Sequence, residues 1–103
     1  MSRPFQNLNS TGSMVFDGLA AVCWFIHMST TVAHPRVINI SPGQLYTFIF
    51  TQDGVGNHPM MWPDNCVNAA PIDPAPNSLT VQNFIADQGG FLIANVPPSG
   101  VQP

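Results

Sequence analysis

Leu45-Tyr46-Thr47-Phe48-Ile49-Phe50-Thr51 decides the fold class. On an extended backbone Tyr46, Phe48 and Phe50 fall on one side, and Leu45, Thr47, Ile49 and Thr51 on the other. One face of this strand is aromatic, which marks it as the core face. The stretch is bounded on both sides by turn chemistry. Ser41-Pro42-Gly43 precedes it, with a proline that presets φ and a glycine that accepts positive φ. Gln52-Asp53-Gly54-Val55-Gly56-Asn57 follows it, and Met60 to Trp62, between Pro59 and Pro63, predicts a short returning strand and hence a hairpin.

Working outward, Arg36 to Ile40 reads as a short strand between the His34-Pro35 break and the Ser-Pro-Gly turn. Upstream, Asp17-Gly18 separates expected strands at about 13–16 and 20–28. The second lies in a run, Leu19 to Met28, interrupted only by His27 and holding the β-favouring Val22, Trp24, Phe25 and Ile26. Downstream, 64–77 contains Pro71, Pro74 and Pro76 without any period and reads as a long crossover loop. Leu79 to Ala86 and Phe91 to Val96, joined by Asp87-Gln88-Gly89-Gly90, predict a final hairpin. The polar residues 1–12 read as an extended N-terminal arm, 13–97 as the domain, and 98–103 as a Pro-rich C-terminal tail. The pattern predicts an all-β fold, a small antiparallel β-sandwich or jelly-roll-like barrel, with no internal repeat.

Composition narrows the function. In 103 residues there are two Arg, no Lys, five Asp and no Glu, so 7% of the chain is charged, against roughly 25% in ordinary soluble domains. The exterior must then be Asn, Gln, Ser, Thr, Pro and apolar groups, a surface that favours burial against partners. With only Arg3 and Arg36 as cations, no basic patch for nucleic acid can be built. The N-terminus carries no apolar signal core, and the longest apolar run is about half a bilayer span, so no membrane segment is expected. Cys23 and Cys66 are expected as reduced thiols.

Gly43 to Gly54, with Thr51-Gln52-Asp53-Gly54 after the aromatic strand, then Gly56 and Trp62-Pro63 nine residues past the Asp, resembles a motif of tailed-bacteriophage virion proteins. That family includes capsid decoration (cement) proteins and tail-fibre or appendage domains. The resemblance spans about residues 36–95. It implies a β-sandwich that forms homotrimers and is made in the host bacterial cytoplasm. For a decoration protein it implies a place on the outer capsid surface, bound to the major capsid protein. The chain departs from the family at Val55-Gly56-Asn57-His58, where Gly-Gly and a basic or polar residue are usual, and it lacks the lysine-containing stretch after Trp62-Pro63.

Other constellations read as structure. Asp53-Gly54 is foremost turn chemistry, with the Asp capping its own backbone, and Pro63 ends a strand. His27, His34, His58, Cys23, Cys66 and Asp64 are metal-ligand types without any local pair such as C-x-x-C or H-x-x-x-H, so no metal or cofactor is expected. No G-x-S-x-G elbow is present, and five dispersed aspartates offer little paired-carboxylate chemistry, so no enzyme is expected. Trp24, Trp62, Phe25, Phe48 and Phe50 are expected in the core; exposed, they could stack on sugars, the route by which an appendage domain would bind a host-surface glycan. Arg3, Phe5, Arg36, His58 and Trp62 are the interface candidates.

Overall fold

The computed structural model describes residues 5–69 and 71–94, which are rich in strand and free of helix. Its strands are β1 (Phe5–Asn9), β2 (Val15–Asp17), β3 (Cys23–Met28), β4 (Arg36–Ile38), β5 (Leu45–Gln52), β6 (Cys66–Val67), β7 (Leu79–Ala86) and β8 (Leu92–Ala94). Six of them form one sheet in the order β1-β3-β5-β7-β8-β6, and β2 pairs with β4 in a small second sheet.

The fold is all-β, but the expectation of an antiparallel arrangement is corrected: the large sheet is mixed. β1–β3, β3–β5, β6–β8 and β2–β4 are parallel, while β5–β7 and β7–β8 are antiparallel. Parallel neighbours need crossovers of a dozen or so residues, and segments 10–22 and 29–44 serve as those crossovers, each carrying one strand of the small sheet. The chain thus winds from large sheet to small sheet and back, twice, before β7 and β8 close it antiparallel.

β5 alternates as the sequence demands, with Tyr46, Phe48, Phe50 and Gln52 inward. Trp24, Ile26 and Met28 of β3 and Phe84, Ala86 and Leu92 of β7 and β8 point the same way. Phe16 and Val37 of the small sheet, with Met14, Val32, Met60 and Ile72 from loops, cover that inner face. Phe48 lies edge-on to Phe16 (5.1 Å), Phe84 (5.6 Å) and Trp62 (5.4 Å), while Trp24 stacks on Tyr46 (5.9 Å). The two buried polar ends are satisfied, Trp24 Nε1 donating to Gln6 Oε1 (3.1 Å) and the Ser41 amide to Tyr46 Oη (2.8 Å).

Three local expectations are corrected. Residues 60–62 do not return alongside β5; Met60 makes a single parallel bridge to Val32. Residues 5–9 of the expected arm are the edge strand β1, with Gln6 and Leu8 half-buried. The 64–77 loop contains β6, which joins the far edge of the sheet. The Ser41-Pro42-Gly43 turn is present, with Gly43 at φ 80° and the Gln44 amide on Ser41 O (3.1 Å), and so is the β7–β8 hairpin, where Asp87 Oδ1 accepts from the Gly89 and Phe91 amides. Residues 95 and 96, the 98–103 tail and Arg3 lie outside the described residues.

Candidate interaction surface

The outward side of the large sheet follows from the strand registers. Its rows are Asn9–His27–Thr51–Leu79, Asn7–Phe25–Ile49–Val81, Phe5–Cys23–Thr47–Asn83 and Leu45–Ile85–Ile93. Among the described residues this face carries no Asp, Glu, Lys or Arg. Much of it is apolar and bare: Leu79 is 63% exposed, Phe5 59% and Val81 52%. Phe5 and Phe25 meet edge to face at 5.7 Å, and Thr47 donates to Asn83 Oδ1 at 2.8 Å. A shallow depression of about 330 Å³ runs between β1 and β5, with Asn7, Phe25, His27, Ile49 and Thr51 among its walls.

Two physical points set this face apart. Exposed apolar side chains are here gathered on one face, among Asn and Thr and without any Asp, Glu, Lys or Arg, where apolar surface on soluble proteins is more often scattered singly. Parallel sheet is found almost only with both faces covered, yet here the parallel β1-β3-β5 portion is covered on one side alone.

A second surface belongs to the covering layer. Arg36, Trp62 and Pro63, three of the residues singled out in the sequence, line one groove of about 570 Å³ together with Val15, His34, Met61 and Asp64. Trp62 is half-buried and presents an edge contact to Phe48, Phe50 and Phe84. Arg36 is exposed at the start of β4, and no carboxylate among the described residues lies within ion-pair distance of it.

His58 and Asp53 form a third, separate feature. Asp53 Oδ1 accepts from the Val55 amide (3.0 Å) and the Gly56 amide (2.9 Å), and His58 Nε2 lies 3.0 Å away. The Gly56 amide, helped by that of Val55 and by His58, holds the Asp53 carboxyl below its ordinary value. The buried Gln52 locks the loop from beneath, its Nε2 donating to His58 O (2.8 Å) and its Oε1 accepting from the His58 amide (3.2 Å). Gly54 is exposed at the tip. The Asp capping expected from the sequence is therefore present, on a loop rather than a hairpin. Because the folded carboxyl titrates below the unfolded one, its contribution is complete above the unfolded value and lost as pH falls through the folded value. Acidification through the unfolded value is expected to lower the protection factors of the Val55 and Gly56 amides, their exchange measured relative to an unstructured chain at the same pH, ahead of those in β5. Uniform loss across both would contradict this.

The cysteines are not bridged to each other. Burial pushes the Cys66 thiol up to about 12, so its thiolate fraction near neutrality is about 1,000-fold below that of a free thiol. Iodoacetamide is accordingly expected to modify Cys66 far more slowly in the native protein than in denaturant, read by peptide mass spectrometry; equal rates would show that the site is open. Among the described residues no three His, Cys, Asp or Glu side chains gather as a metal site, and no helix is long and apolar enough to cross a membrane.

Of the predicted interface residues, the structure brings Arg36 and Trp62 together, puts Phe5 on the sheet face, and leaves His58 on the Asp53 loop. The sheet face as a whole was missed. Its signal was the second apolar set on the same strands, Leu45 and Ile49 on β5 and Val81 and Ile85 on β7, combined with the scarcity of charge. No family model matches the chain, and neither the curated proteins nor the solved structures contain a match to it.

Proposed function

We propose that this chain is a non-enzymatic structural subunit of a phage virion, a capsid decoration protein that trimerises and binds the major capsid protein on the outside of the head. The observation that supports this reading is the uncharged apolar side of the six-stranded sheet, which suits a protein whose work is to be packed against others. The phage part of the reading rests on the resemblance of Gly43 to Pro63 to the virion-protein motif. In this reading β2 and β4 are the rudiment of the second sheet of a sandwich, and the groove of Arg36, Trp62 and Pro63 faces the capsid lattice. A subunit that binds only the expanded lattice stabilises it by mass action, and many copies add through multivalency.

Cryo-electron microscopy of virions containing the chain is the test. Trimeric density spread over the head is expected, with stripped particles releasing DNA at lower temperature. Density confined to the tail would overturn the decoration reading in favour of an appendage domain that binds a host glycan, for which the Trp62 groove, with its polar rim of His34, Arg36 and Asp64, is the fitting site.

A further inference from the structure

We infer that the outward face of the six-stranded sheet is covered by a second copy of this chain, sheet against sheet. The inference rests on the assembly reading only for the premise that the bare face is an interface, and it commits to the occupant: face-to-face pairing is two-fold, so it joins copies two by two and any three-fold contact must use another surface.

Charge is the first argument. A partner recognised through ion pairs needs charges to meet, and this face carries no Asp, Glu, Lys or Arg among the described residues; its Phe25, Ile49, Val81 and Ile85 suit an apolar surface, and the Asn and Thr between them an uncharged polar one. Its own copy is such a surface, and no like charges oppose each other when the face meets itself. The second argument is extent. Five strands at about 4.8 Å spacing and about six residues of length give a face of roughly 500 Å² in projection. Two copies would then bury roughly 1,000 Å² or more, at the threshold for a specific interface. The third is the parallel sheet itself: β1, β3 and β5 gain from a partner sheet at about 10 Å the second cover that parallel strands ordinarily have.

The test is the mass of the full chain by sedimentation over a wide concentration range. The wild type is expected at twice the 11.1 kDa of one chain, or at an even multiple of it. Val81→Asp, in the centre of the face, is expected to weaken association at least 100-fold. Asn83→Asp guards against misfolding: it is nearly isosteric and keeps the oxygen that accepts from Thr47, yet brings a carboxylate onto the face, and is expected to weaken association about 10-fold. Leu19→Asp, at an exposed apolar residue in a turn away from the sheet, is expected to change nothing. Native near-ultraviolet circular dichroism in all variants confirms the fold. A wild type that is monomeric at every concentration, or association unaffected by both face variants, overturns the inference. Particle binding separates the two readings: a monomer that still decorates virions removes the second copy and leaves the virion role. An oligomer broken by Val81→Asp but absent from particles does the reverse.

Discussion

Phe48→Ala is expected to remove about 3–5 kcal/mol of stability, enough to leave a domain of ordinary stability largely unfolded. Phe48 is fully buried at the middle of β5. It touches Phe16 and Trp62 on the covering layer, Trp24 on β3, Phe50 on its own strand and Phe84 on β7. Truncation forfeits the transfer energy of the ring and leaves a cavity that stiff aromatic neighbours cannot collapse to fill. Ile49, one residue on, points to the outward face. Ile49→Ala is therefore expected to cost only about 1 kcal/mol in the monomer. Urea unfolding of both variants at low concentration is the measurement; similar midpoints would mean that the two faces of β5 are equally buried and would contradict the layer assignment.

The second large effect is expected at Gly56. Its φ is 76°, and a Cβ there would lie 2.6 Å from Pro74 O and 2.8 Å from Pro76 N, both backbone atoms. The Asn57 amide also donates to Pro74 O at 2.7 Å, so the two loops are tied where the methyl would go. Gly56→Ala adds about 1 kcal/mol of left-handed strain to the cost of prising the loops apart, about 2–4 kcal/mol together. Gly54→Ala is the matched control, since a Cβ there meets nothing within 4 Å and the residue lies outside the left-handed region. It is expected to be neutral or slightly stabilising. Thermal melts that move equally for the two variants would show that the contact between 56 and 74–76 is not part of the folded state.

The contrast between these glycines shows how far the sequence could be read. Asp53-Gly54 was legible as a turn because Asp capping is local chemistry, and Asp53 does accept from the Val55 and Gly56 amides. What the chain does next was not legible. Gln52 captures both backbone groups of His58, and Pro74 takes the Asn57 amide, so the segment is drawn toward the 71–77 loop instead of back along β5. Those partners are distant in sequence or disguised as an ordinary glutamine. Strand direction was hidden for a different reason: alternation tells which side of Phe48 is buried but says nothing of whether its neighbour runs up or down. β1 was hidden because an edge strand half in water shows only a faint period, here Gln6 and Leu8. Of the site, the sequence showed that charge is scarce, and the registers were needed to show where it is missing.

The two long crossovers have a consequence in time. An antiparallel pair can zip from its turn, but β1 cannot find β3, nor β3 find β5, until the intervening segments have closed as loops, an entropic cost met before any ladder bond is made. Of the strand pairs that share a ladder among the described residues, only β7 and β8 are joined by a short turn. Refolding is therefore expected on the millisecond-to-second scale typical of non-local β topologies. In pulse-labelled hydrogen exchange, protection is expected in β7 and β8 before β1. Synthesis runs in the opposite order: the ribosome releases the slow, winding half of the sheet first and the quick hairpin last, so the β7 side of β5 stands as an open edge until its antiparallel neighbour has been made.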